Sequence, residues 1–119
     1  MKIERATEAD YPELLRLNNA VVPHVNELSQ GALDALARQA AYLGVVRVGS
    51  ETAGFLMALA EGAAYTSPNF RWFKLRYPRF LYVDRIVVSS PHRRGGLGRK
   101  LYQDLQRPRR GALRCSHAR

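Results

Sequence analysis

The chain is short of cysteine, of long apolar runs and, towards its end, of acidic residues. Cys115 is the one cysteine in 119 residues. No disulfide can therefore close within the chain, and the reducing cytoplasm is the expected compartment. No apolar run approaches the ~20 residues of a bilayer-spanning helix. The opening MKIERATEAD is polar and acidic and does not read as a signal peptide. His24, His92 and His117 show no metal-ligand spacing, and Cys115 with His117 lacks the second pair of a zinc site, so no metal is expected. His92 is expected to be exposed and non-catalytic. Hydrophobic residues at 46% and charged residues at 24% suit a globular domain, and the length suggests a single one.

What is present is a lopsided charge. The formal net charge is +9. Residues 1–92 hold ten Lys/Arg against nine Asp/Glu, whereas residues 93–119 hold nine against Asp104 alone. The basic excess starts at a glycine-rich stretch, RRGGLGRK (93–100), and continues to the end. Such a patch attracts polyanions: nucleic acid, an acidic membrane face or a phosphorylated cofactor. Charge alone does not choose among them.

Periodicity places the elements. Residues 2–6 alternate polar and apolar and read as a strand. Thr7 is a candidate helix N-cap ahead of Glu8 and Asp10. The helix it opens carries Tyr11, Leu14, Leu15, Asn18 and Val22 on one face and stops before Pro23. Ser29 caps a second helix, with Leu33, Leu36, Ala37, Ala40 and Leu43 inward. The period then drops to two. YLGVVRV (42–48) and TAGFLMALA (52–60) read as a hairpin around GSE (49–51). Pro68 suits the first turn of a short helix with Phe70, Phe73 and Tyr77 on one side. RFLYVDRIVV (79–88) is the strongest strand. A last helix starts near Gly95 or Gly96 and carries Leu97, Leu101 and Leu105 at four-residue spacing, with Pro108 as its limit. This order calls for one mixed α/β sheet.

The junction of that strand and helix carries the chemistry. A helix start exposes unpaired N–H groups and a positive dipole end. Glycines let an anion come close, and arginines add charge-assisted hydrogen bonds to phosphate oxygens. A pyrophosphate site results. The dinucleotide fingerprint fails, because Leu101 stands where its third glycine belongs, and the G-x-x-x-x-G-K-[ST] loop is absent. The arrangement Arg93-x-x-Gly96-x-Gly98 after a long apolar strand remains.

That arrangement resembles the Q/R-x-x-G-x-G/A motif of the GNAT superfamily of N-acetyltransferases. YVDRIVVSSPHRRGGLGRKLY (82–102) is similar to the family's fourth strand, pyrophosphate loop and third helix, and the element order before it also matches. The resemblance covers about residues 1–106. It implies a GNAT-like mixed, mainly antiparallel sheet flanked by helices, here without the usual C-terminal strands and helix. It further implies acetyl-CoA as cosubstrate. Main-chain N–H groups from Arg94 through Gly95, Gly96, Leu97 and Gly98 to Arg99 would hold its pyrophosphate, with Arg93 opening the loop. Ile86, Val87 and Val88 would form a strand bulge whose main chain pairs with the pantetheine arm, and an N–H near Ile86 or Val88 would polarise the thioester carbonyl.

For the acceptor amine, two carboxylates are candidate bases acting through water. Asp84 is an acid inside an apolar strand, with a structural pairing to Arg85 as its other reading. Glu27 lies between the first two helices, in a loop that lines the acceptor cleft in the family, with a solvated loop charge as its other reading. Tyr65 and Tyr82 are candidate pocket walls. Residues 107–119 form a basic tail with five arginines. It reads as the product of a truncated or frame-shifted reading frame, and only GALRC (111–115) has the makings of a fifth-strand stub. The uncovered edge of the fourth strand then invites a homodimer. The rival reading is a non-enzymatic module whose basic C-terminal surface binds nucleic acid or another polyanion, although the tail has no aromatic residue for stacking on bases.

Overall fold

A computed structural model describes residues 1–22, 25–65, 67–107 and the pair 115–116. In chain order the elements are β1 (Lys2–Arg5), α1 (Tyr11–Asn19), α2 (Gln30–Gln39), β2 (Ala40–Val48), β3 (Glu51–Ala60), α3 (Pro68–Arg76), β4 (Leu81–Val88), α4 (Leu97–Leu105) and β5 (Cys115–Ser116). Short 3-10 turns at Glu8–Asp10 and Ser90–Gly95 lead into α1 and α4. The strands lie in the order β1-β2-β3-β4-β5. The first four are antiparallel, and β5 runs parallel to β4 through Leu81 with Cys115 and Tyr82 with Ser116. The sheet is thus mixed and mainly antiparallel with helices against it, as the GNAT-like resemblance implied. Of the basic segment beyond residue 106, only Arg107 and the Cys115–Ser116 stub fall within the described residues.

Each face of the sheet is covered by helices whose apolar stripe matches it. Leu97, Leu101 and Leu105 of α4 pack on Tyr42, Val46, Leu56, Ala58, Leu81 and Val83. Leu14 and Leu17 of α1 and Leu33 and Ala37 of α2 pack on Leu43, Val45, Phe55, Met57 and Val87. A third, aromatic cluster joins Phe70 of α3 to Phe80, Tyr82 and Leu59, with edge-to-face rings at 5.4 and 5.6 Å.

Three boundaries differ from the periodicity reading, each for a local reason. α1 ends at Asn19 rather than near Val22, because the Asn18 and Asn19 side chains turn to bond the returning segment at Asn26 and Leu28. β2 begins at Ala40, so Ala40 belongs to the strand and not to the helix before it, and Leu43, which periodicity put both on the helix face and in the strand 42–48, belongs to the strand alone. Leu43 still joins the same cluster as Leu33 and Ala37, which is why its spacing looked helical. Thr7 stands before the 3-10 turn, where its N–H donates to the Asp10 carboxylate at 2.9 Å. Ser29 caps α2 as expected, its hydroxyl oxygen accepting from Ala32 N–H at 3.1 Å.

The strand bulge sits elsewhere than expected. β3 pairs Met57 with Arg85 and Ala58 with Val83, so the unpaired residue is Asp84, upstream of Ile86–Val88. A bulge changes the phase of the pleat. Before it, Leu81 and Val83 face α4; after it, Ile86 and Val88 do, while Val87 faces α1 and α2. Asp84 and Arg85, neighbours that a regular strand would send to opposite faces, therefore project to the same side.

Candidate active site

The glycine-rich turn closes on α4. Gly96 is its N-cap and adopts φ +72°, a left-handed conformation that other residues enter only with strain. The first intrahelical bond is Lys100 N–H to the Gly96 carbonyl at 3.2 Å. By helix geometry the N–H groups of Leu97, Gly98 and Arg99 precede it, and a glycine N-cap has no side-chain oxygen to cap them. Gly95, Gly96, Arg93 and Arg99 are exposed around this terminus, and the Leu97 side chain is anchored in the core. Arg94 lies in the 3-10 turn. The helix start, Gly95, Gly96, Arg93 and Arg99 therefore lie together in one corner just beyond the end of β4.

β4 leads into that corner with an edge to spare. Ser89 N–H donates to the Ala53 carbonyl at 2.8 Å. Antiparallel pairing alternates along a strand, so Val87 and Arg85 turn their main-chain groups to β3, and Ile86 and Val88 turn theirs outward. Arg93 Nε reaches the Val88 carbonyl from outside at 3.3 Å. Among the described residues only Leu81 and Tyr82 of β4 pair with a further strand on this side, the β5 stub. Beside the open edge lies a cleft of about 330 Å³ lined by Val21, Val25, Ile86, Val87, Val88, Arg93 and Gly98. Gly98 backs it: a Cβ there would touch Ile86 Cδ1 at 3.6 Å and Val88 Cγ2 at 4.0 Å, and a longer side chain would enter the cleft.

A second cleft of about 240 Å³ opens further along β4, lined by Val25, Asn26, Tyr65, Ser67, Tyr82, Asp84 and Arg85. Val25 belongs to both clefts. The Asp84 side chain is only 3% exposed, although the residue as a whole is half-buried, so its exposure lies in the bulged main chain. Its Oδ2 accepts from Arg85 Nε at 2.7 Å and its Oδ1 from the Tyr65 hydroxyl. Burial first, then the hydrogen bond and charge of Asp84, push the Tyr65 phenol well above its ordinary value, so Tyr65 keeps its proton and donates it.

The structure thus brings Asp84 and Tyr65 together and leaves Glu27 apart. Glu27 is exposed and lines neither cleft. His92 is not exposed as expected: it is half-buried, with Nε2 2.7 Å from Glu51 Oε1, and links the 3-10 turn to the start of β3. His24 and His117 lie outside the described residues, among which no cluster of metal-ligating side chains occurs. Pattern reading missed the part played by Asn18, fully buried at the end of α1 and bonded to Arg85 Nη1 at 2.9 Å. The available signal was a polar residue at an otherwise apolar helix position.

Comparison with known proteins gives three findings. The sequence model of the acetyltransferase (GNAT) family matches residues 7–115. Among curated proteins no match is found. Among solved structures the chain is similar to an aminoglycoside antibiotic 6'-N-acetyltransferase from Acinetobacter haemolyticus, with TM-score 0.67 and 17% identity over 98% of this chain and 78% of that one. It is also similar to a ribosomal-protein-alanine N-acetyltransferase from Brucella melitensis, with TM-score 0.60 and 24% identity over 87% of this chain and 64% of that one. An aminoglycoside 6'-N-acetyltransferase complexed with coenzyme A aligns over 88% of this chain and 53% of its own, with TM-score 0.64 and 16% identity. Identities this low establish a shared fold and nothing finer. The family match spans most of the sequence, including the strand, glycine-rich turn and helix described above, and the chain belongs to the acetyltransferase (GNAT) family of N-acetyltransferases.

Proposed function

We propose that this chain binds acetyl-CoA along the outer edge of β4 and passes its acetyl group to an amine held in the cleft beside Asp84. The observation that carries the reading is the continuity of three features: the outward main-chain groups of Ile86 and Val88, the 330 Å³ cleft next to them, and the glycine-capped start of α4 at its end. A pantetheine arm presents amide groups that pair with such an edge as an added strand would. A pyrophosphate suits the N–H groups of Leu97, Gly98 and Arg99, with Arg93, Arg94, Gly95 and Gly96 around them. The solved neighbour complexed with coenzyme A supports the same cosubstrate.

Acetyl-CoA supplies a thioester whose carbonyl carbon accepts the amine and whose thiolate departs. The protein's part is position and charge. On this reading the N–H of Ile86 or Val88 would donate to the carbonyl oxygen as negative charge builds there. The amine approaches from the cleft of Asp84, Tyr65 and Tyr82, a wall of oxygen atoms and ring faces suited to a cationic amine before it loses its proton. In this reading Asp84, sealed between Arg85 and Tyr65, holds the Tyr65 hydroxyl at the cleft wall, the amine's proton leaves through water in the cleft, and Glu27 stands apart from both clefts. In this reading the acetyltransferase domain is residues 1–106 followed by a basic tail over 107–119, from which Cys115–Ser116 returns to pair with β4. The single cysteine favours the cytoplasm as its compartment, and no helix of the described residues is long and apolar enough to cross a membrane.

The test is a panel. The full chain is incubated with acetyl-CoA and, in turn, an alanine-terminated peptide, an aminoglycoside and a polyamine, with thiol release and acetylated product both followed. Thiol release matched by product on one amine supports the reading. Thiol release without product on any amine, or none above the protein-free control, contradicts it.

A further inference from the structure

Resting on that reading of the acceptor cleft, we propose that Arg85 is a positioning residue that ties the two walls of the cleft together and so fixes its width for the amine. One wall is the connection from β3 to α3, which carries Tyr65. The other is the segment between α1 and α2, which carries Val25 and Asn26. Arg85 reaches both. Its Nε donates to Asp84 Oδ2 at 2.7 Å, and Asp84 Oδ1 takes the Tyr65 hydroxyl. Its Nη1 donates to Asn18 Oδ1 at 2.9 Å and to the Asn26 carbonyl at 3.4 Å. Asn18 Nδ2 in turn donates to the Asn26 carbonyl at 3.0 Å and to Asn19 Oδ1 at 2.9 Å. Asn19 grips Leu28 from both sides: its Nδ2 donates to the Leu28 carbonyl and its Oδ1 accepts from Leu28 N–H, each at 3.0 Å.

Stability alone does not account for this chain of bonds. Arg85 and Asn18 are the polar residues buried in the described core, at 6% and 0% exposure. A buried ion pair is at best about neutral compared with well-packed apolar side chains. What a guanidinium offers is a planar fork that bonds in two directions at once. The fork is usable only because the bulge at Asp84 sends neighbouring side chains to one face. The network is complete, since no buried side-chain N or O atom among the described residues lacks a partner. Because Val25 borders both clefts, the same tether bears on the cofactor side.

A lysine keeps the charge beside Asp84 but cannot fork, so it separates the two walls experimentally. Amide hydrogen exchange on the full chain, without ligand, compares wild type with Arg85→Met, Arg85→Lys and Asn18→Asp. Arg85→Met is expected to speed exchange about tenfold in residues 25–28 and in residues 61–65. Arg85→Lys is expected to do so in 25–28 alone. Asn18→Asp keeps an oxygen for Arg85 and is expected to leave 61–65 as in wild type. On an amine acetylated in the panel, Arg85→Met raises KM about tenfold while kcat falls less than about threefold. Unchanged exchange at both walls, or an even rise across the whole sheet, overturns the proposal; should Arg85→Met fail to fold, Arg85→Lys and Asn18→Asp decide it by the same criteria. Exchange is read without coenzyme A or amine, so a chain that binds or acetylates nothing would defeat the proposed function while exchange still judges Arg85.

Discussion

At the scale of single residues, Asp84 shows how a strand can carry a charge inside a core. Its two oxygens are each occupied, by Tyr65 and by Arg85, and its side chain is nearly sealed. Tyr65→Phe strips one donor from a buried carboxylate and is expected to cost about 1–3 kcal/mol in urea unfolding at neutral pH. The pH sign follows from the direction of the shift. A phenol whose folded pKa is raised above 10.0 contributes stability below that pH and loses it as pH climbs through the folded value. Wild type should therefore lose stability on the alkaline side by a part that Tyr65→Phe lacks; identical alkaline limbs would contradict the assignment. Asp84 was legible in the sequence as an acid out of place in YVDRIVV, and Arg85 as its partner. The bulge was not, since it arises from how β3 and β4 register and no residue in β4 announces it. Asn18 was legible only as a helix position, because its partners come from residues 26 and 85, which no local pattern links to it.

Among the elements, α4 is the best determined by sequence and the most exacting in structure. Its stripe of Leu97, Leu101 and Leu105 was readable from spacing alone and is fully buried. Its start was readable from glycines, but which glycine caps it depends on backbone geometry: Gly96 takes φ +72° with no atom near its missing Cβ. Gly96→Ala is thus a test of conformation without a clash, and about 1–2 kcal/mol of stability should be lost in urea melts. No loss would mean that the cap is not left-handed. The same helix is pinned to the far strands through Asp104, whose Oδ2 accepts from Tyr42 at 2.8 Å and from Arg5 at 2.9 Å. Burial pushes the Asp104 carboxyl up, but hydrogen bonds from Tyr42 and Arg5 and the charges of Arg5 and Arg107 outweigh it and hold the group below its ordinary 3.8. Its contribution is present above that pH and disappears as pH falls through the lower folded value. Asp104→Asn should destabilise the chain at pH 7 and narrow the gap to wild type near pH 3. A gap that is constant with pH would remove the charge from the account. By contrast, the α2–β2 junction resisted sequence reading because Leu43 serves the same cluster from a strand that it would have served from a helix.

For the molecule as a whole, the stretch of β4 beyond Tyr82, which no other described strand covers, and the net charge of +9 set the terms. The proposed reading offers two occupants for the outward groups of Ile86 and Val88, a second copy of the chain and a pantetheine arm, and a measurement separates them. A homodimer formed through this edge should dissociate when coenzyme A is added, seen as a fall in sedimentation coefficient at constant protein concentration; a dimer that persists at saturating coenzyme A pairs through another surface. Charge calls for the salt control, because a polyanion held by the basic residues alone would lose affinity steeply with ionic strength. The central claim is that the cleft beside Gly98 is the cofactor's own. It is tested most directly by calorimetric titration of coenzyme A into wild type and Gly98→Leu at near-physiological salt. Leucine suits a helix better than glycine, so the variant should be at least as stable, while its side chain fills the cleft against Ile86 and Val88. The account predicts saturable one-to-one binding by wild type and a loss of at least about tenfold, about 1.4 kcal/mol, in Gly98→Leu. Equal affinity in the two proteins, or no saturable binding by wild type, would contradict it.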